Sequence, residues 1–148
     1  MMTYQFRFQK ILDIKENEKQ KTMAEYQQSV EEFEKVANKL YECLKKKEDL
    51  EELKKKKLNN GLSVQEMRHY QQFITNLEKT INHYQKLVML TRNHMNEKQS
   101  LLIEKNKEVK QYEKMKQEDF KQFIQQEKKA ETNQLDQVSL IQYSYRRN

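Results

Sequence analysis

Three histidines, one cysteine, scattered carboxylates and two lysine runs are the residues of this chain whose types suggest chemistry. His69, His83 and His94 are spaced by 14 and 11 residues. On a helix that spacing keeps them near one face but separates neighbours by ~21 and ~16 Å, too far for one metal ion to bridge. They read as surface or flank residues. Cys43 is the only cysteine, so no intrachain disulfide forms, which fits a reducing compartment. Nothing near it assembles a Cys–His pair, and beside apolar Leu44 it reads as a small packing residue. A phosphate-cradling loop needs several glycines, and Gly61 is the only one. Any nucleotide must therefore be held by another protein. The carboxylates lie on solvated faces with no cleft to pair them for acid–base work. No catalytic residue, metal or cofactor is expected, and the chain is not expected to be an enzyme.

The runs Lys45-Lys46-Lys47 and Lys54-Lys55-Lys56-Lys57 raise a nucleic-acid reading, since phosphate contact needs clustered cations free of partners. Here Glu48, Asp49, Glu51 and Glu52 stand at helical pairing distance from them. A solvated helix face is the better reading, with a basic tip for acidic protein or lipid headgroups left open. No nucleic acid is expected.

The elements that carry these residues follow from composition and period. The 148 residues hold one Gly, no Pro and no Trp, with 35% hydrophobic and 35% charged residues. A packed globular domain uses about 45–50% apolar residues, and tight β reversals draw on Gly and Pro, so both are excluded. The 29 Lys and Arg against 23 Asp and Glu give a net charge of +6, with the signs mixed along the chain. The longest apolar run, Leu87-Val88-Met89-Leu90, is far short of the about 20 residues of a membrane span. No secretory signal is visible. A soluble, intracellular protein without direct membrane insertion is expected.

What separates the chain from a disordered one is its period. Alternate steps of three and four from Met67 give Tyr70, Ile74, Leu77, Ile81, Tyr84, Val88, Thr91, Met95, Lys98, Leu102, Lys105, Val109 and Tyr112. Only Thr91, Lys98 and Lys105 break this seam, which predicts a coiled coil. An earlier seam runs Met23, Tyr26, Val30, Phe33, Ala37, Leu40, Leu44, then meets Lys47 and resumes out of register at Leu50 and Leu53, as across a local stammer. Between the two lies Asn59-Asn60-Gly61, a helix stop, followed by Ser63 and Glu66 as a capping box with Leu62 and Met67 placed for a staple.

These signals predict an all-α fold: a long two-helix antiparallel coiled-coil hairpin forming one domain. Helix 1 spans about 4–58, the turn 59–62, helix 2 about 63–118, and a helical overhang 119–148. Folding at Gly61 sets residue i opposite roughly residue 122 − i, so Tyr4 faces Glu118, in a rod of ~80 Å. The overhang, with Phe120, Phe123, Ile124, Leu135, Val138, Ile141, Tyr143 and Tyr145, lacks an intrachain partner and should fray or dock. The polar interval from Lys15 to Thr22 should be loosely held. A monomeric hairpin is expected.

A second stripe, Phe73, Leu77, Thr80, Tyr84 and Leu87, runs beside the seam. A two-helix coil has a narrow seam, so either a partner covers Phe73 and Leu87 or a widened seam buries them against Leu50 and Leu53.

The opening Tyr4-Gln5-Phe6-Arg7-Phe8-Gln9-Lys10-Ile11-Leu12-Asp13-Ile14-Lys15-Glu16 and the central Tyr70-Gln71-Gln72-Phe73-Ile74, with Leu77-Glu78-Lys79, resemble the FliJ family of bacterial flagellar protein export. The resemblance implies a coiled coil similar to the γ-subunit stalk of F1-ATPase. Its implied partners are a hexameric flagellar export ATPase, the membrane export-gate protein and export chaperones. It implies gate binding by Phe73 and Leu77, on a face that also holds Tyr70, Thr80 and Tyr84. Joined to the rod geometry, it places the ATPase at the helix ends, at Phe6, Phe8, Ile11, Phe120 and Phe123. The expected function is coupling of the ATPase to the gate without chemistry of its own, in the cytoplasm and peripherally at the membrane through the export apparatus. The alternatives are a general cytoplasmic coiled-coil scaffold and a basic nucleic-acid-binding coil.

Overall fold

Gly61 has φ 89°, a left-handed conformation open to glycine at no steric cost. Helix α1, Gln9–Asn59, stops just before it. Its last turn tightens, with Asn60 N–H donating to Lys57 O at 3.2 Å and Gly61 N–H to Leu58 O at 3.4 Å. Helix α2, Val64–Arg147, starts behind Ser63, whose hydroxyl accepts from Glu66 N–H at 3.2 Å. The cap satisfies one of the backbone donors that every helix start leaves free. The fold is all-α: two long helices packed against each other as a hairpin. The computed structural model describes residues 3–147. The chain divides into two units, Lys21–Ile103 and Met1–Gln20 with Glu104–Asn148.

In the unit Lys21–Ile103, α2 turns the expected seam inward. Ile74 and Ile81 are buried, and Tyr70, Leu77, Tyr84, Val88 and Met95 are half-buried. Burying each isoleucine contributes about 1.5–3 kcal/mol. The facing seam of α1 differs from the expected one. It runs Thr22, Tyr26, Ser29, Phe33, Val36, Leu40, Cys43, Lys47, Leu50, Lys54, in unbroken steps of three and four. Tyr26, Phe33 and Leu40 belong to both seams; Thr22 and Ser29 are buried, Met23, Val30 and Ala37 are half-buried beside the seam, and Leu44 is exposed. No stammer occurs: Lys47 keeps the register, its Nζ 3.4 Å from Glu78 Oε1. The apolar neighbours Met23, Val30, Ala37 and Leu44 made a slipped register look necessary. The packed one alternates small and large side chains instead, as close helix approach favours.

The same unit shows how one seam lysine is accommodated. Lys98 Nζ lies 2.9 Å from Glu25 Oε2 on α1. Glu25 is held below the ordinary glutamate range, first by that hydrogen bond and then by the Lys98 charge. Arg92 stacks over the Phe33 ring at 5.6 Å. Every one of these pairs falls within a few residues of the expected register.

In the other unit, residues 3–6 are not helical, and α1 begins at Gln9 rather than at about residue 4. Residues two apart lie on opposite sides of a helix but on the same side of an extended chain. The extended start lets Tyr4 and Phe6 both reach α2. Phe6 is buried with Leu12 and Val109, and Tyr4, Phe8 and Tyr112 pack around them. Tyr4 lies edge-on to Phe120 at 5.0 Å and 5.3 Å from Phe123, and its hydroxyl donates to Asp119 Oδ2 at 3.0 Å. The first residues expected to overhang therefore have a partner in Tyr4. Beyond Phe123, every described residue except Glu127 is exposed.

Four charges bridge part of the polar interval within this unit. Lys15 Nζ is 3.2 Å from Glu108 and 3.7 Å from Glu18, and Lys105 Nζ is 3.3 Å from Glu18 and 3.9 Å from Glu108. Glu108 Oε2 is shut off from solvent and lies against both ammonium groups without a directed hydrogen bond. The Glu108 contact holds Lys15 above the ordinary lysine value, and the Lys105 hydrogen bond holds Glu18 below the ordinary glutamate one.

Candidate functional site

The first cluster of expected site residues lies on α2 within Lys21–Ile103. Leu77 and Tyr84 are seam residues, half-buried, so only their edges reach solvent. Phe73 precedes buried Ile74 and projects outward, 60% exposed. Leu53, offered as its cover, is itself exposed, and Leu50 is half-buried. At Phe73 the widened seam does not form and the ring stands in water, whereas Leu87 is half-buried. Thr80 is exposed, with its hydroxyl donating back to Asn76 O at 3.2 Å. A threonine so engaged presents its methyl group outward and keeps its polar atom on its own helix.

Two aromatic neighbours frame this surface. Tyr70 is half-buried, with Lys57 Nζ 5.3 Å from its ring centre. The hydrogen bond to the Tyr70 hydroxyl, more than any other cause, raises the Lys57 ammonium above its ordinary value. His83 packs at 5.5 Å against Tyr84. The result is a strip with an apolar ridge at Phe73 and half-covered apolar flanks. Such a strip can seat in a groove of a partner.

The second cluster lies in the other unit and splits in two. Phe6 is core, and Phe8 and Phe123 are half-buried against it or against Tyr4. Ile11 and Phe120 are exposed and available to a partner. The α2 segment beyond them carries Leu135, Val138, Leu140, Ile141, Tyr143 and Tyr145 in the open. Leu140 is an exposed apolar residue that the sequence reading did not single out, although its type and its place beside Ile141 were the available signal.

Among the described residues no group of three His, Cys, Asp or Glu is placed to hold a metal ion. No helix among them is long and apolar enough to cross a membrane. Two apolar exposures missed from the sequence, Leu58 and Val64, sit beside the turn.

Comparison with known proteins places this geometry. No solved structure matches the chain. A curated relative, the flagellar FliJ protein of Bacillus subtilis (strain 168), is 68% identical over 80 residues. That alignment covers 54% of this chain and 54% of the relative, so it spans about half the length of each. The model of the family described as Flagellar FliJ protein matches residues 4–148. A match that takes in the extended aromatic start, both helices and the Phe73 strip shows that this chain belongs to the flagellar FliJ family.

Proposed function

We propose that the protein is a non-enzymatic component of flagellar protein export that couples the export ATPase to the membrane export gate and handles export chaperones. The observation that carries this reading is Phe73, a large aromatic left 60% exposed beside a well-packed seam. Its motif is one of the two that carry the resemblance to the family, and the resemblance assigns gate binding to it. Aromatic side chains on an otherwise charged surface are the usual anchors of a protein interface. Leu77 and Tyr84 supply the flanks of the anchor, and Tyr70 and Thr80 its rim.

The ATPase contact falls on Ile11 and Phe120, with Phe8 and Phe123 at their edges. Phe6 serves that contact from within the core, by fixing the segment that bears Phe8. Association with the cytoplasmic face of the cell membrane then follows through the export apparatus.

Two measurements test the reading. Phe73→Ala should weaken capture of the export-gate protein at least tenfold and leave far-ultraviolet circular dichroism unchanged. Lost helicity would make Phe73 a core residue and end the interface assignment. Co-purification with the flagellar export ATPase should succeed with the full chain and weaken on removal of residues 119–148. A general scaffold unrelated to export would retain neither partner.

A further inference from the structure

We propose that the turn end of the unit Lys21–Ile103 is a docking point for an anionic lipid surface. Between Lys54 and His69 the sequence places five cations, Lys54 to Lys57 and Arg68, against the single carboxylate Glu66. The structure divides these cations. Lys54 and Lys57 are turned onto α2, with Lys54 Nζ donating to Gln71 Oε1 at 3.2 Å and Lys57 over Tyr70. Lys55, Lys56 and Arg68 are exposed and form no ion pair with any described residue. The pairing expected from Glu51 and Glu52 is not made: both are exposed, and neither reaches a lysine within ion-pair distance. The cations are therefore free to meet an external anion.

Apolar side chains stand among them. Leu58 lies exposed in the last turn of α1, and Val64 opens α2 at 70% exposure. Between them are only Asn59, Asn60, Gly61, half-buried Leu62 and Ser63. A cationic collar behind two apolar residues and a short polar loop matches the layers of an anionic bilayer surface, with charge at the phosphates and apolar groups at the acyl boundary. The area argues against a protein partner at this end. Two helix ends, each ~10 Å across, offer much less than the about 800 Å² per partner that a stable protein interface uses. A lipid surface needs no such area, because each basic residue near it strengthens adsorption by roughly fivefold. The contact does not require a membrane span, and it is independent of the export-gate contact at Phe73.

The test is sedimentation of the full chain with vesicles near physiological salt. Vesicles of phosphatidylcholine containing about one-third phosphatidylglycerol should carry the protein down, and pure phosphatidylcholine vesicles should not. Lys55→Glu with Lys56→Glu should weaken binding at least about twentyfold. Lys128→Glu with Lys129→Glu, the same change in net charge far along α2, should leave it within about threefold. Leu58→Ser with Val64→Ser should weaken it several-fold without altering its salt dependence. Circular dichroism monitors folding, and if a glutamate pair loses helix, Lys55→Gln with Lys56→Gln takes its place. Indifference of the wild type to anionic vesicles overturns the proposal, as does equal loss in both charge-reversed pairs. Retention on polyglutamate that matches vesicle binding and ignores Leu58→Ser with Val64→Ser would assign the tip to an acidic protein instead.

Discussion

Ile74 and Ile81 occupy successive equivalent positions of the α2 seam, and so, further along, do Lys98 and Lys105. The isoleucines are buried, and the lysines are half-buried and reach Glu25 and Glu18 on α1. One seam thus carries two kinds of chemistry, the isoleucines at one of its two alternating heptad positions and the lysines at the other. Apolar burial is strong but tolerant of sliding, because an isoleucine does not distinguish one apolar neighbour from the next. A seam lysine gains its partner in one register only, and sliding leaves its charge half-desolvated without a counterion. The isoleucine stretch supplies stability, and the lysine stretch fixes which residues face each other.

The largest effect should come from the apolar side of this comparison. Ile81→Ala removes buried methyl groups from a narrow seam and should cost about 2–4 kcal/mol, read as a lowered midpoint in thermal or urea unfolding. Replacing Lys98 and Lys105 with Leu should move stability the other way and raise the midpoint. The same pair should broaden the species seen in sedimentation equilibrium, because an apolar seam pairs equally well between chains. A single sharp monomer with raised stability would show that the lysines contribute nothing to register.

Acid should distinguish the two stretches as well. Glu18 and Glu25 have folded-state values below the ordinary glutamate range, so the unfolded chain binds their protons first. Their stabilisation is complete at neutral pH and is lost as pH falls through and below that range. Hydrogen exchange at acid pH should therefore rise in the segments around Glu18 and Glu25 before it rises around Ile74 and Ile81. Simultaneous opening would mean that the charge pairs add no local stability. Salt should act in the same sense but more weakly, since these pairs are partly exposed.

The sequence made much of this architecture visible and hid the rest for identifiable reasons. The break at Gly61 and the cap at Ser63 are local, set by backbone sterics and one hydrogen bond, and they appear where residue type requires them. The α2 seam is legible because its positions are mostly large and apolar. The α1 seam is not, because what it buries at Thr22 and Ser29 and half-buries at Cys43 depends on how closely the other helix approaches. The outward turn of Phe73 depended in the same way on where Leu50 and Leu53 point. The fate of the polar interval was hidden for a third reason. Lys15, Glu18, Lys105 and Glu108 are ordinary surface residues by type and become a network only once the two helices set them together.

The smallest expected effect tests that point about the α1 seam most directly. Ser29 is 2% exposed, and its hydroxyl donates to Tyr26 O of its own helix at 2.6 Å. Ser29→Ala removes a donor that satisfies itself locally and gains helix propensity. Its effect should stay within about 0.5 kcal/mol in either direction. Ser29→Leu is the informative partner. A reading by hydropathy alone expects it to stabilise, since it places a leucine at a seam position. The packed structure expects a loss of about 1–3 kcal/mol, because the site is closed over a small side chain and the added atoms must push the helices apart. If Ser29→Leu raises the unfolding midpoint, the site has spare room. The small seam residues of α1 would then be incidental to how closely the two helices approach.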